Sequence, residues 1–110
     1  MVQLLANPAL APLPDSQTVF KASASYRNLT LLLSNEGTGP STVAVYHKKA
    51  GVEYRISASG IVLAVESDPD GGNIVEVTLP GLQPGEEIKV KSTGADSSTR
   101  VLVYGEITKR

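Results

Sequence analysis

Residues 28–46 read NLTLLLSNEGTGPSTVAVY. Leu29, Leu31 and Leu33 recur at every second position, with Asn28, Thr30 and Leu32 between them. A two-residue period places alternate side chains on opposite faces of a strand, whereas a helix groups residues three and four apart. Asn35-Glu36-Gly37-Thr38-Gly39-Pro40 then concentrates the residue types that turn a chain. Beyond it, Val43 and Val45 alternate with Thr42, Ala44 and Tyr46. The stretch therefore predicts strand, turn and strand. Its register is well specified, because a slip of one residue would turn all three leucines out to water.

The same pattern continues outward. Tyr54 and Ile56 alternate with Glu53 and Arg55, and Ile61, Leu63 and Val65 follow Gly60. Asp68-Pro69-Asp70-Gly71-Gly72-Asn73 is the densest turn signal, and Val75, Val77 and Leu79 come after it. Pro80-Gly81 and Pro84-Gly85 bracket a short connector that leads to Ile88 and Val90, set among Glu87, Lys89 and Lys91. A loop at 93–98 precedes Val101, Val103 and Ile107, with Leu102 and Tyr104 opposite them. With Gln17 to Ala22 as the first, about eight short strands at regular spacing predict an all-β fold, an antiparallel β-sandwich of immunoglobulin-like or jelly-roll-like type. Its expected core is Leu31, Val43, Val45, Val77, Ile88, Val90, Val101 and Val103.

The chain divides at residue 16. Residues 1–16 carry Pro8, Pro12 and Pro14, which lack amide donors and fix φ, so this arm is expected to be extended and not helical. Residues 17–110 are expected to form the sandwich. Leu4, Leu5, Leu10 and Leu13 make the arm apolar, and burying one leucine is worth roughly 1.5–3 kcal/mol. Such a segment is expected to find a groove, on its own body, on a neighbouring copy or on another protein, and the four leucines are the expected partner-binding residues that anchor it there.

Composition narrows the function. The 110 residues carry a net charge of −1 and no Cys. A chain of this length can support its own core without metal or disulfide. The basic stripe of a nucleic-acid binder is missing; His47-Lys48-Lys49 is the one tight basic cluster. No apolar run approaches the length of a membrane-spanning helix, and the N-terminal apolar stretch lacks a basic leader, so neither membrane nor export is expected.

Catalytic constellations are absent from the pattern. His47, the single histidine, reads as a surface residue at a strand end. Asp68, Asp70 and Asn73 resemble a calcium loop only superficially, since Gly72, Asn73 and Leu79 fall where ligands or the invariant glycine would be needed. Glu86 and Glu87 are adjacent, so on a strand they face opposite sides and cannot converge on one bond. Tyr46, Tyr54 and Tyr104 could share an outer face, as packing residues or as a sugar platform. Asn28-Leu29-Thr30 matches a glycosylation acceptor but lies within a strand. No catalytic residue, cofactor or metal is expected.

Several segments together resemble a family of small virion proteins of tailed bacteriophages. They are Thr18-Val19-Phe20, the run Leu31 to Gly37, Thr42-Val43-Ala44-Val45-Tyr46, Leu82-Gln83-Pro84-Gly85-Glu86 and Val101 to Ile107. The resemblance covers most of residues 17–107, with Glu53 to Asn73 fitting poorly. It implies a structural, non-enzymatic β-sandwich: a capsid decoration, or cement, protein that stabilises the head through self-association and arm docking. A tail, baseplate or fibre adaptor is the alternative, and a receptor- or glycan-binding module a second. The implied partners are the chain itself, with a homotrimer favoured, and the major capsid protein. The implied location is the virion, assembled in the host cytoplasm.

Overall fold

A computed structural model describes residues 2–57, 60–65, 73–79 and 81–108. Among these residues ten strands follow in order: β1 Gln3–Ala6, β2 Ala9–Leu10, β3 Gln17–Lys21, β4 Tyr26–Asn35, β5 Ser41–Lys49, β6 Val52–Arg55, β7 Ile61–Leu63, β8 Ile74–Leu79, β9 Glu87–Thr93 and β10 Thr99–Ile107. All pairings are antiparallel and divide between two sheets. One sheet runs β1-β10-β4-β8, with β2 also on β10; the other runs β3-β9-β5-β6, with β7 also on β5.

Strand order decides between the two expected topologies. β1 and β2 act as one interrupted strand on β10, and β6 and β7 as one on β5. Eight effective strands then pair first with last, second with seventh, third with sixth and fourth with fifth. That nested pairing, folded across two sheets, is a jelly roll. The immunoglobulin-like alternative would leave the first strand beside a different neighbour.

The two-residue period accounts for the core. Leu29, Leu31 and Leu33 of β4 and Val101 and Val103 of β10 face Val43 and Val45 of β5 and Ile88 and Val90 of β9, all almost fully buried. Of the eight expected core residues, Val77 is half-buried against this cluster, because β8 is the last strand of its sheet.

Local backbone features follow from what must fit. β4 carries one extra residue opposite β10 between Arg27 and Thr30, and Asn28 takes the left-handed conformation at φ 54°. A bulge of this kind suits Asn, whose short polar side chain tolerates that region. Across from it stands Gly105: a Cβ there would lie 2.6 Å from Leu29 Cδ2 and 2.9 Å from Leu5 Cδ1. The glycosylation-like Asn28 is thus a bulge residue.

Residues 1–16 correct the expectation of a separate arm. They are extended, but β1 and β2 pair with β10, Val101 N–H donates to Pro8 O, and Leu13 N–H donates to Ser92 O. Pro8 splits the segment into two short strands without removing it from the sheet, because a proline is tolerated at an edge. A boundary at residue 16 therefore does not separate two bodies. Without residues 3–10, one side of β10 would lose its hydrogen-bonding partner.

Candidate docking surface

The four leucines of the N-terminal segment split two and two. Leu10 is 5% exposed and belongs to the core, and Leu5 packs against that core. Leu4 and Leu13 remain outside, 49% and 48% exposed. A four-leucine anchor for a partner is therefore corrected: Leu5 and Leu10 are spent on this chain's own interior. The reason is strand alternation, which turns one leucine of the Leu4-Leu5 pair inward whenever the segment joins a sheet.

Leu4 pairs with Tyr104 across the β1–β10 register and so lies on the outer face of its sheet. Leu102 pairs with Leu32 on the same face, and Tyr104 with Thr30. Leu4, Tyr104, Leu102 and Leu32 thus form one apolar patch across three strands, on the side opposite the core. Charged pairs close it at both ends. Arg27 Nε donates to Glu106 Oε1 at 2.6 Å, and Arg100 Nε to Glu36 Oε1 at 3.2 Å. Glu76 and Thr78 of β8 flank it at one side, opposite Leu32 and Thr30. An apolar centre within a polar rim is the anatomy of a protein–protein contact.

Tyr46, Tyr54 and Tyr104 do not share a face. Tyr104 is on the outer face just described, and Tyr46 lies on the outer face of the other sheet beside Lys89. Tyr54 is exposed on β6 opposite His47. No three-tyrosine platform forms.

The polar groups are committed to holding turns and loops. His47 is not the expected surface residue: β5 turns it toward the interior opposite Ile88, and its Nε2 lies 2.9 Å from Glu86 Oε1. Glu86 is likewise buried. Its carboxylate accepts the Gln83 N–H at 3.0 Å and so ties the Leu82-Gln83-Pro84-Gly85-Glu86 turn to itself. That amide donor, together with the hydrogen bond and charge of His47, holds the Glu86 carboxyl below its ordinary range despite opposing burial. Glu87 points the other way, to Thr18 Oγ1 at 2.7 Å. The two carboxylates diverge, Glu86 into the turn before β9 and Glu87 away from it at the first residue of the strand.

At the opposite end, Asn35 is fully buried. Its Nδ2 donates to Gly39 O at 2.8 Å and to Leu63 O and Ala64 O at 3.3 Å. Its Oδ1 accepts Gly37 N–H at 3.0 Å. One side chain thereby joins β4, the 36–40 turn and the end of β7. Beside it, Ser41, Ser92 and Thr99 hydroxyls form a closed triangle of 3.2, 2.8 and 2.8 Å, wholly buried between the sheets. Each can donate once and accept once, so the ring satisfies itself. These four residues carry no motif; they converge only because the sheets stack. The Asp68 to Gly72 part of the calcium-like stretch lies outside the described residues, while Asn73 O accepts the Asn35 N–H at 2.9 Å.

No protein-family model matches the chain, and no curated protein matches it in sequence.

Proposed function

We propose that this chain is a non-enzymatic structural protein of a tailed-bacteriophage virion, and specifically a capsid decoration protein that lies on the head surface and stabilises it. The observation that carries this reading is the outer face of β1, β10 and β4. Its apolar centre of Leu4, Leu32, Leu102 and Tyr104 sits between the Arg27–Glu106 and Arg100–Glu36 pairs. A sheet that buries one face in its own core gains only modest cross-strand packing from an apolar opposite face; such a patch favours a flat contact with another protein. The jelly roll is compatible with this, being a fold that virus coat proteins and lectins share, although fold alone assigns no role. The resemblance in the strand-and-turn motifs supplies the phage context. The polar groups support a structural part: Glu86 ties a turn, Asn35 ties three segments, and the three interior hydroxyls satisfy one another.

The test is cryo-electron microscopy of the phage particle that carries this chain, alongside particles assembled with a Leu102→Asp variant. Density for this fold on the capsid lattice, weakened or lost in the variant, is the expected result. Density at the tail would move the protein to the adaptor role, and no density anywhere on the particle would sink the virion reading.

A further inference from the structure

A sandwich has strand edges that must be covered or blunted, since each offers unpaired main-chain donors and acceptors. Among the described residues, three of the four edges are blunted. β1 and β2 are short, offset by a bulge and separated by Pro8. β3 is irregular between Thr18 and Phe20 and ends at Lys21. β6 carries Glu53 and Arg55 in four residues, and β7 has three residues. β8 is different: its six residues pair with Leu29 to Ser34 of β4 in unbroken register, and Glu76 is its single charge.

The direction of its free groups follows from one hydrogen bond. Asn35 N–H donates to Asn73 O, in the same register that pairs Leu33 with Val75. In an antiparallel ladder hydrogen-bonded pairs alternate, so Val75, Val77 and Leu79 bond to β4. The N–H and C=O groups of Ile74, Glu76 and Thr78 therefore point away from the sheet. β1 and β3 meet at one side of the sandwich, so β8 lies with β6 and β7 at the other. That side also exposes Ile74 at 60% and Val62 at 64%, and leaves Val75, Val77 and Leu79 half-covered.

We propose that β8 pairs antiparallel with β8 of a second copy about a two-fold axis at Val77. Overlap and charge together select this register, since only an axis at Glu76 or Val77 engages most of the six-residue strand. An axis at Glu76 would oppose two carboxylates, whereas an axis at Val77 sets Glu76 against Thr78 of the other copy. It also continues the inner apolar row, with Val77 beside its own equivalent and Val75 beside Leu79. The outward groups of Glu76 and Thr78 then exchange main-chain hydrogen bonds on both sides of the axis. The contact is isologous and closes as a dimer, in place of the threefold unit the phage resemblance implies. It stands independently of the virion role.

The test is sedimentation equilibrium of the full chain from micromolar to near-millimolar concentration, with three variants. The chain should reach twice 11.5 kDa. Glu76→Pro removes an outward N–H and leaves the β4 ladder intact, so it should stay folded by circular dichroism and sediment as a monomer. Because the chain has no Cys, single cysteines report the register directly. Val77→Cys should form an intermolecular disulfide under mild oxidation, since facing non-hydrogen-bonded pairs bring Cα atoms to about 4.5 Å. Val75→Cys should cross-link at least tenfold more slowly. A chain that stays monomeric throughout, a trimer mass, or equal cross-linking at both positions would overturn the proposal. The cross-linking comparison decides the matter even if the proline variant does not fold. A monomer that still decorates capsids would refute the pairing and leave the virion role standing; a dimer that never binds a particle would do the reverse.

Discussion

Asn35 sits where a leucine would satisfy the strand pattern equally well, yet it is the residue on which one end of the sandwich closes. Its fully buried amide bonds to Gly39, Leu63 and Ala64 carbonyls and accepts the Gly37 N–H. Replacing it with Ala would orphan several of these groups, each costing about 1–3 kcal/mol when buried and unpaired. Urea denaturation of Asn35→Ala should therefore show one of the largest single-residue losses in the chain, with the 36–40 turn losing hydrogen-exchange protection first. Glu86 gives a pH-dependent counterpart. The Gln83 N–H and His47 hold its folded pKa below the unfolded value, so its contribution is present above the ordinary carboxylate range near 4.3 and is lost as pH falls through the lowered folded value. Stability measured from pH 7 down to pH 3 should decline less steeply in Glu86→Gln than in the parent chain. Equal acid limbs would show that the Glu86 contacts contribute nothing to acid sensitivity.

Among the elements, the β5–β6 hairpin holds a correctable weakness. Lys49 pairs with Val52, so Ala50 and Gly51 form a two-residue loop with φ of 52° and 78°. Two positive φ angles in succession are the signature of the tight turn that matches strand twist, and they favour Asn-Gly. Ala50 bears a Cβ in the left-handed region, where an ordinary residue is disfavoured by roughly 1–2 kcal/mol. Ala50→Asn should raise stability by about 0.5–1 kcal/mol, read as a higher denaturation midpoint with unchanged slope. A lower midpoint would place the loop in another turn type. The loops at the other end show the opposite economy. Gly39 lies so close to Ala95 O that a Cβ would stand 2.0 Å from it, and Thr38 and Gly39 N–H groups both donate to Asp96 O. Here glycine is required because two loops pack backbone on backbone.

For the whole molecule, the N-terminal segment is the point at which function and stability separate. A chain beginning at Gln17 removes β1 and β2, the buried Leu10 and the hydrogen bonds that Pro8 O and Leu13 N–H make to β10 and β9. It also uncovers one edge of β10 along the core. Loss of one buried leucine alone costs about 2–5 kcal/mol, a large part of the stability of a small domain. The truncated chain should therefore be markedly less stable or unfolded by circular dichroism. Folding with unchanged stability would show that the segment is a detachable arm after all. Leu4→Ser, which touches the outer face and leaves Leu5 and Leu10 in place, is the substitution that should weaken docking while the melting temperature holds.

Strand content, the turns among the described residues and most of the core were legible in the sequence, because alternation in runs such as Leu29-Leu31-Leu33 and Val101-Val103 is local information that a strand must obey. The opposed directions of Glu86 and Glu87 agree with the expectation from their adjacency, although Glu86 is held by the turn before β9 and not by the strand. Topology was not: the nested pairing of first strand with last depends on contacts between residues some hundred positions apart, which no local pattern encodes. The N-terminal segment shows the same limit. Its prolines and leucines determined that it would be extended and apolar, but whether Leu10 met a partner or its own core depended on the free edge that β10 presents. His47, Asn35 and the Ser41, Ser92 and Thr99 hydroxyls look unremarkable in sequence for that reason. Their surroundings exist only after two sheets have closed over them, since hydrogen bonding and desolvation are properties of the packed interior and not of the residue.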